Sequence, residues 1–151
     1  MKWRAKDIER FLEEKQYVDT IIVPLIPLNW DEGMLATVRE GEYVQILGDE
    51  IERQLKGRVV LNPAFTYFKE EALEERMKRL ETWKNGMING GGKFVYFVTS
   101  DVDWKAYESQ LEHLIWLPAV PLEHMDERHR NDFVAETVGS VMKTITGQWI
   151  S

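Results

Sequence analysis

The densest group of metal-ligating side chains in the sequence lies in one short segment. Glu123, His124, Asp126, Glu127 and His129 fall within seven residues. Imidazole and carboxylate groups are suitable ligands for zinc, manganese or iron. Their spacing matches no established ligand motif, however. A helix that begins here would use Asp126 as its N-cap and would favour a carboxylate in its first turn. Helix capping is therefore the preferred interpretation, and a metal site is the alternative.

A metal site built on this segment needs ligands from other parts of the chain. Asp31 and Asp101 each follow a predicted strand, and either one could complete it. The candidate metal ligands are thus Asp31, Asp101, Glu123 and His124. We expect no cofactor, with a divalent metal as the alternative.

Ser100 is the one serine placed where a nucleophile could act. It lies in "TSDVDW", and His124 is the only plausible base beside it. The G-x-S-x-G motif is absent, and capping of a helix by Ser100 or Asp101 is the preferred interpretation. The glycine run "NGGG" precedes a strand, whereas phosphate-binding loops follow one, so it indicates a helix stop.

Aromatic side chains follow the same predicted strand ends. Trp30 and Trp104 stand beside acidic residues, and Phe65, Tyr67 and Phe68 form a second group. Two interpretations are open. These rings either line a cleft or protein-binding patch, or fold back over the edge of the sheet.

The elements that must position these residues alternate along the chain. Apolar spacing predicts helices over 5–15, 34–55 (with a break near Gly41), 70–87, 101–112 and 126–149. Strands are predicted over 18–26, 58–61, 93–98 and 114–120. A helix between successive strands requires crossover connections. The pattern predicts one α/β domain over residues 1–151, a three-layer Rossmann-like sandwich of about four mostly parallel strands with helices on both faces.

In open parallel sheets, ligands bind outside the carboxyl ends of the strands. This rule selects four segments: "PLNWDEG", "NPAFTYF", "TSDVDW" and "PLEHMDERHR". The candidate ligand- or partner-binding residues in them are Asn29, Trp30, Asp31, Glu32, Asn62, Tyr67, Ser100, Asp101, Trp104, Glu123 and His124.

Composition limits the class of protein. The net charge is −7 with the acidic residues spread along the chain, which argues against nucleic acid as a partner. There are no cysteines, as is typical of a reducing compartment. No segment has the apolar run of a signal peptide or the ~20 apolar residues of a membrane span. We expect a cytoplasmic protein.

Three stretches carry a resemblance: "DTIIVPLIPLNWDEG", "RVVLNPAFTYF" and "WLPAVPLEHMDERHR". On these the chain resembles, over nearly its full length, the YpiF-like family of bacilli, short proteins of uncharacterised function. The resemblance implies a bacterial protein and carries no catalytic motif.

The order of "TIIVPL", "VVLNPAFTYF" and "GGKFVYFV" is also similar to that of the first three strands of creatininase-like amidohydrolases. Those enzymes carry an acid and a histidine after the first strand and an Asn-Gly-His-Gly-Gly-Asn motif after the third. Here the chain has "NWDEG" and "VTSDVDW" instead. Of the metal ligands that this resemblance implies, only Asp31 or Glu32 and Glu123 have counterparts.

Two hypotheses follow. The first is a non-catalytic domain that binds a protein partner or a small ligand at the carboxyl ends of the strands. The second is a metal-dependent, amidohydrolase-like enzyme with a degenerate site. They differ in whether the candidate ligands Asp31, Asp101, Glu123 and His124 converge.

Overall fold

The computed structural model describes residues 1–150 and shows an α/β fold with a five-stranded parallel sheet. The helices are α1 (Ala5–Glu13), α2 (Met34–Gln54), α3 (Leu73–Asn89) and α4 (Glu127–Trp149). The strands are β1 (Thr20–Leu28), β2 (Val59–Leu61), β3 (Phe65–Phe68), β4 (Phe94–Thr99) and β5 (Leu114–Trp116). Two 3₁₀ helices span Val102–Tyr107 and Leu122–His124.

Strand β1 lies at the centre of the sheet, in the order β2-β1-β4-β5, and β3 also pairs with β1. All four pairings are parallel. The predicted Rossmann-like arrangement is confirmed, with five strands in place of about four. The predicted helix over 101–112 is instead the shorter 3₁₀ helix Val102–Tyr107.

The extra strand arises because β2 and β3 share one side of β1. Ile22 is in register with Leu61, and Leu25 is in register with Phe65. Between these two pairings β1 advances by three residues and the β2–β3 segment by four, so the register shifts by one residue. The register shift places Pro24, which has no N–H to donate, where β1 changes partner. The segment "NPAFTYF" therefore does not simply follow the second strand as predicted, because Phe65–Phe68 continue the sheet as β3.

Each face of the sheet has its own apolar core, and alternation along β4 supplies both. Tyr96 and Val98 pack with α2 and α4 in one cluster, whereas Val95 and Phe97 pack with α3 in the other. On α4, Val134, Val138, Val141 and Ile145 are buried, and Met142 packs against them.

Gly41 does not break helix α2, contrary to the prediction. The helix runs without interruption from Met34 to Gln54. A Cβ atom on Gly41 would lie 2.7 Å from the Ile26 side chain, so this glycine lets α2 approach β1 closely. The "NGGG" run does end a helix, as predicted: α3 ends at Asn89, and Gly91 has a φ of 106°.

No helix within residues 1–150 is both long enough and apolar enough to cross a membrane.

Candidate functional site

The topology places a switch point between β1 and β4. From β1 the chain crosses through α2 to β2 on one side, and from β3 it crosses through α3 to β4 on the other side. The connections leave β1 and β4 toward opposite faces of the sheet. In such sheets the crevice outside the carboxyl ends of these two strands is the usual ligand site. The segments after β1 and β4 are therefore the first to consider.

The segment after β1 is a pair of side-chain-stabilised turns. Asn29 Oδ1 accepts a hydrogen bond from the Asp31 amide at 2.8 Å, and Asp31 Oδ1 accepts one from the Gly33 amide at 2.9 Å. These contacts start α2 at Met34. Glu32 is exposed, and Trp30 is 78% exposed. The polar side chains here serve the connection, and the indole points to solvent.

The segment after β4 is buried. Asp101 is 1% exposed, and its Oδ2 accepts a hydrogen bond from the Tyr67 hydroxyl at 2.8 Å. Its Oδ1 accepts one from the Asp103 amide at 3.0 Å, which is the predicted capping contact. The amide of Asp101 donates to Thr99 Oγ1. Ser100 Oγ is buried without a hydrogen-bond partner, so the hypothetical Ser100–His124 pair is not formed.

Tyr67 and Trp104 extend the contacts of Asp101 into the core. The Trp104 indole N–H donates to the Tyr67 hydroxyl at 2.8 Å, and the two rings meet edge to face. Burial, together with the negative charge of Asp101, raises the pKa of Tyr67 above its usual range. Trp104 is fully buried, so of the two open interpretations it takes the one in which the ring folds back onto the sheet.

Arg76 on α3 supplies the positive charge of this cluster. The Arg76 side chain is 3% exposed, and its Nη1 lies 3.7 Å from Asp101 Oδ2 and 3.3 Å from Asp103 Oδ2. It also donates to the backbone carbonyls of Glu71 and Lys69 at 2.9 and 2.6 Å. We call Tyr67, Arg76, Asp101 and Trp104 the buried polar network.

A second ion pair lies beside this network. Lys69 Nζ, just beyond β3, is 3.0 Å from Glu40 Oε1 on α2, while Glu40 Oε2 is buried without a partner. Burial raises the pKa of Glu40, against the opposing effect of Lys69. The negative charges of Asp101 and Asp103 raise it further. Glu40 is therefore close enough to Asp101 and Asp103 for their charges to affect its protonation.

Sequence reasoning did not identify Glu40, Lys69 or Arg76. For Arg76 a signal was present, because it lies three residues after Leu73 and four before Leu80, on the apolar stripe of its helix. A charged residue on a buried stripe indicates an ion pair in the core. Glu40 and Lys69 carried no comparable pattern.

The segment after β5 forms an exposed cluster instead. Arg39 Nε on α2 lies 2.7 Å from Glu123 Oε2, and Arg39 Nη2 lies 3.2 Å from His124 Nε2. The Glu123 and His124 side chains are 39% and 69% exposed. The hydrogen bond from Arg39 lowers the pKa of Glu123. We call Arg39, Glu123 and His124 the exposed charge cluster.

Asp126 caps α4, as predicted. Its Oδ1 accepts a hydrogen bond from the His129 amide at 2.9 Å, and its Oδ2 lies 2.7 Å from His129 Nδ1. The hydrogen bond from the His129 amide lowers the pKa of Asp126. His129 is thus part of the cap.

The four candidate metal ligands have different neighbours. Asp101 faces Tyr67 and Arg76, Asp31 belongs to a turn, and Glu123 and His124 face Arg39. Within residues 1–150 the structure shows no group of three or more His, Cys, Asp or Glu side chains that could hold a metal ion. The side-chain positions therefore add no support to the metal-dependent hypothesis.

Exposed apolar side chains gather around the carboxyl ends of the strands. Trp30 follows β1, Phe68 ends β3, Val102 follows β4, and Leu35 and Val38 lie on the first turns of α2. Their exposed fractions range from 47% for Val38 to 78% for Trp30. We call these five residues the apolar patch. They are half of the ten large apolar side chains that are exposed among residues 1–150.

Asn62 lies away from this edge. Its backbone N–H donates to the Ile22 carbonyl at 2.9 Å, and its side-chain Nδ2 donates to the Pro63 carbonyl at 2.9 Å. Both contacts belong to the register shift between β2 and β3, so Asn62 is not brought together with the other candidate residues.

Comparison with known proteins places the chain in a family. The model of the family described as "Protein of unknown function (DUF2487)" matches residues 9–149. The uncharacterised protein YpiF of Bacillus subtilis (strain 168) is 32% identical over 149 residues, which are 99% of this chain and 98% of the relative. No solved structure matches, so the resemblance to creatininase-like amidohydrolases stays a prediction. The chain belongs to the DUF2487 family, as its resemblance to the YpiF-like proteins predicts.

Proposed function

We propose that this chain is a non-catalytic cytoplasmic domain that binds a protein partner through the carboxyl ends of its strands. The observation that carries the proposal is the apolar patch, in which Trp30 is 78% exposed, Val102 62% and Phe68 49%. Contiguous exposed apolar surface with a polar rim marks interaction sites. Aromatic side chains such as Trp30 are frequent anchors in such sites.

The rigid support under the patch favours this role. Val102 directly follows Asp101, and Phe68 directly follows Tyr67, two members of the buried polar network that are hydrogen-bonded to each other. A backbone that buried contacts hold in place loses less conformational entropy when a partner binds. The network is thus explained as the foundation of a surface, without any catalytic step.

The charges around the patch indicate the chemistry of the partner. The exposed acids Asp31 and Glu32 adjoin Trp30, Asp103 adjoins Val102, and Glu70 follows Phe68 by two residues. The cations that adjoin the patch in the sequence, Arg39 and Lys69, are paired with Glu123 and Glu40, so the rim is acidic on balance. Such a surface complements a partner surface that is apolar and edged with lysine or arginine. We therefore expect association to slow as the salt concentration rises.

Site-specific photo-crosslinking in Bacillus subtilis cells that express the chain tests the proposal. A benzophenone amino acid replaces Trp30, Phe68 or Val102 in separate variants. We expect the three positions to form an adduct with the same protein, because they share one surface. Trp3 is 64% exposed and lies outside the patch, so a variant at that position is the matched control.

The adduct must then be reproduced with purified components. Trp30→Ala should weaken binding of the crosslinked partner about tenfold or more, because an exposed aromatic anchor is lost. The free energy of unfolding of this variant should stay within about 0.5 kcal/mol of the wild-type value. Adducts that also form at Trp3, or an affinity unchanged by Trp30→Ala, would rule the patch out as the binding surface.

A further inference from the structure

A cavity of about 830 Å³ lies away from the strand-end segments, between α1, the second half of α2 and the start of α4. This volume is within the range of about 300–1,000 Å³ that small-molecule sites occupy. No residue of the buried polar network, the exposed charge cluster or the apolar patch lines it.

The lining of this cavity is enriched in basic side chains. Six of the chain's 19 lysines and arginines line it, together with five of its 26 acidic residues. The basic residues are Lys2, Arg4, Arg10, Arg53, Lys56 and Arg130. The protein has a net charge of −7, yet basic side chains outnumber acidic ones around this cavity.

Three of the five acids are already paired. Glu50 accepts a hydrogen bond from Arg53 Nε at 2.9 Å, and Asp49 lies 3.8 Å from Lys2 Nζ. Glu52 is buried 3.5 Å from the α-ammonium group of Met1. The remaining acids are Asp7 and Asp132. Four cationic side chains of the lining form no ion pair within 4 Å among residues 1–150: Arg4, Arg10, Lys56 and Arg130.

Asp7 shows the effect of this positive surplus. Its pKa is lowered, first by the hydrogen bond that its Oδ2 accepts from the Lys2 amide at 2.7 Å. The positive charges of the Met1 α-ammonium, Arg4 and Arg10 lower it further. Part of the cavity wall therefore already stabilises a negative charge.

We propose that this cavity binds a small molecule that carries two or more negative charges on linked phosphate groups. Guanidinium groups match the geometry of phosphate oxygens, and three of the four unpaired cations are arginines. The four come from α1, the segment before it, the segment after α2 and the first turn of α4, so four separate parts of the chain contribute a cation to the lining. A linked phosphate concentrates enough charge to meet several of them at once.

Isothermal titration calorimetry of the full chain with sodium tripolyphosphate at low ionic strength tests the proposal. We expect one site per chain. Arg10→Ala and Arg130→Ala should each weaken binding about tenfold or more, because each removes a cationic side chain that donates hydrogen bonds to the ligand. The double variant should abolish measurable binding. Circular dichroism melts should show that these variants stay folded, since both side chains belong to exposed residues.

Arg128→Ala is the matched control, because Arg128 is an exposed arginine in the same turn of α4 as Arg130 and does not line this cavity. Its affinity for tripolyphosphate should equal that of the wild type. An equal loss in this variant, unchanged binding by the double variant, or no binding by the wild type would each overturn the proposal.

ATP and inorganic phosphate, titrated separately, separate the possible sources of the phosphate groups. Tighter binding of ATP than of tripolyphosphate would show that an organic group occupies the rest of the cavity. Equal binding would show that recognition depends on the linked phosphates alone. Inorganic phosphate that binds as tightly as tripolyphosphate would overturn the requirement for linked phosphates.

Discussion

The buried polar network and the exposed charge cluster are built from similar side chains in similar places. Each follows a parallel strand, and each joins a carboxylate to an arginine from a neighbouring helix: Asp101 to Arg76 in the first, and Glu123 to Arg39 in the second. The arginine and carboxylate side chains are 3% and 2% exposed in the network, against 30% and 39% in the cluster.

This difference in burial separates their roles. In the network, Asp101 accepts a hydrogen bond from Tyr67, and Arg76 donates hydrogen bonds to two backbone carbonyls, as burial of a charge pair requires. In the cluster, water competes with every contact, so the pair adds little to stability. The network therefore holds the carboxyl edge in place, whereas the cluster is free to rearrange.

The largest expected effect comes from removing the carboxylate of the network. Asp101→Ala should lower the free energy of unfolding by about 3–5 kcal/mol, because it removes the buried negative charge beside the Arg76 guanidinium and leaves the Tyr67 hydroxyl without its acceptor. Urea denaturation followed by far-UV circular dichroism measures this. Asp103→Ala is the control, with a side chain that is 46% exposed and an expected loss below about 1 kcal/mol. Equal losses would show that the two acids do not differ in role.

Removing the phenol tests the centre of the network. Tyr67→Phe should cost about 1–3 kcal/mol in urea denaturation, because the Trp104 indole N–H loses its acceptor and Asp101 loses a donor. Tyr17→Phe is the matched control, since Tyr17 is 65% exposed. No measurable loss for Tyr67→Phe would mean that water replaces the hydroxyl group at this site.

The neighbouring Glu40 should reveal itself through pH. Because its folded pKa is raised, the folded state binds the proton more tightly than the unfolded state. Its contribution to stability is thus fully present below the unfolded pKa of 4.5 and is lost as the pH rises through the folded pKa. Stability of the wild type relative to Glu40→Gln should therefore increase as the pH falls from 7 toward 4.5. Denaturation at both ends of this range measures the change, and the opposite trend would show that the Lys69 pair dominates.

The smallest expected effect is in the exposed charge cluster. Glu123→Gln should leave the urea midpoint unchanged, because both partners of the Arg39 pair remain hydrated. The same denaturation assay measures it. A loss comparable with that of Asp101→Ala would remove the distinction between the two regions.

Much of the fold could be predicted because its signals are local. The stripe of Leu73, Met77 and Leu80 repeats with the period of a helix, and helices between strands require parallel pairing. Strand β3 could not be predicted because "NPAFTYF" starts with the turn residue Asn62 followed by Pro63. Its strand character depends on the register with β1 beyond the shift at Pro24, a non-local contact that no local pattern contains.

The candidate site was predicted in part, for the same reason. The caps formed by Asp101 and Asp126 follow from their position before a helical turn, and both are present. The sequence could not show that Trp30 is exposed and Trp104 is buried, because both follow a strand and adjoin acids. Only the tertiary contacts place one in solvent and the other beneath Tyr67.

The sequence by itself determined the four α-helices, four of the five strands, their parallel pairing and the membership of a family. These depend on periodicity, connection length and similarity along the chain. Only the tertiary structure decided which charges are buried, that Arg76 lies beside Asp101, and that six cationic side chains line a single cavity. Such facts depend on distances between residues far apart in the chain, and burial changes the energy of a charge far more than its neighbours in sequence do.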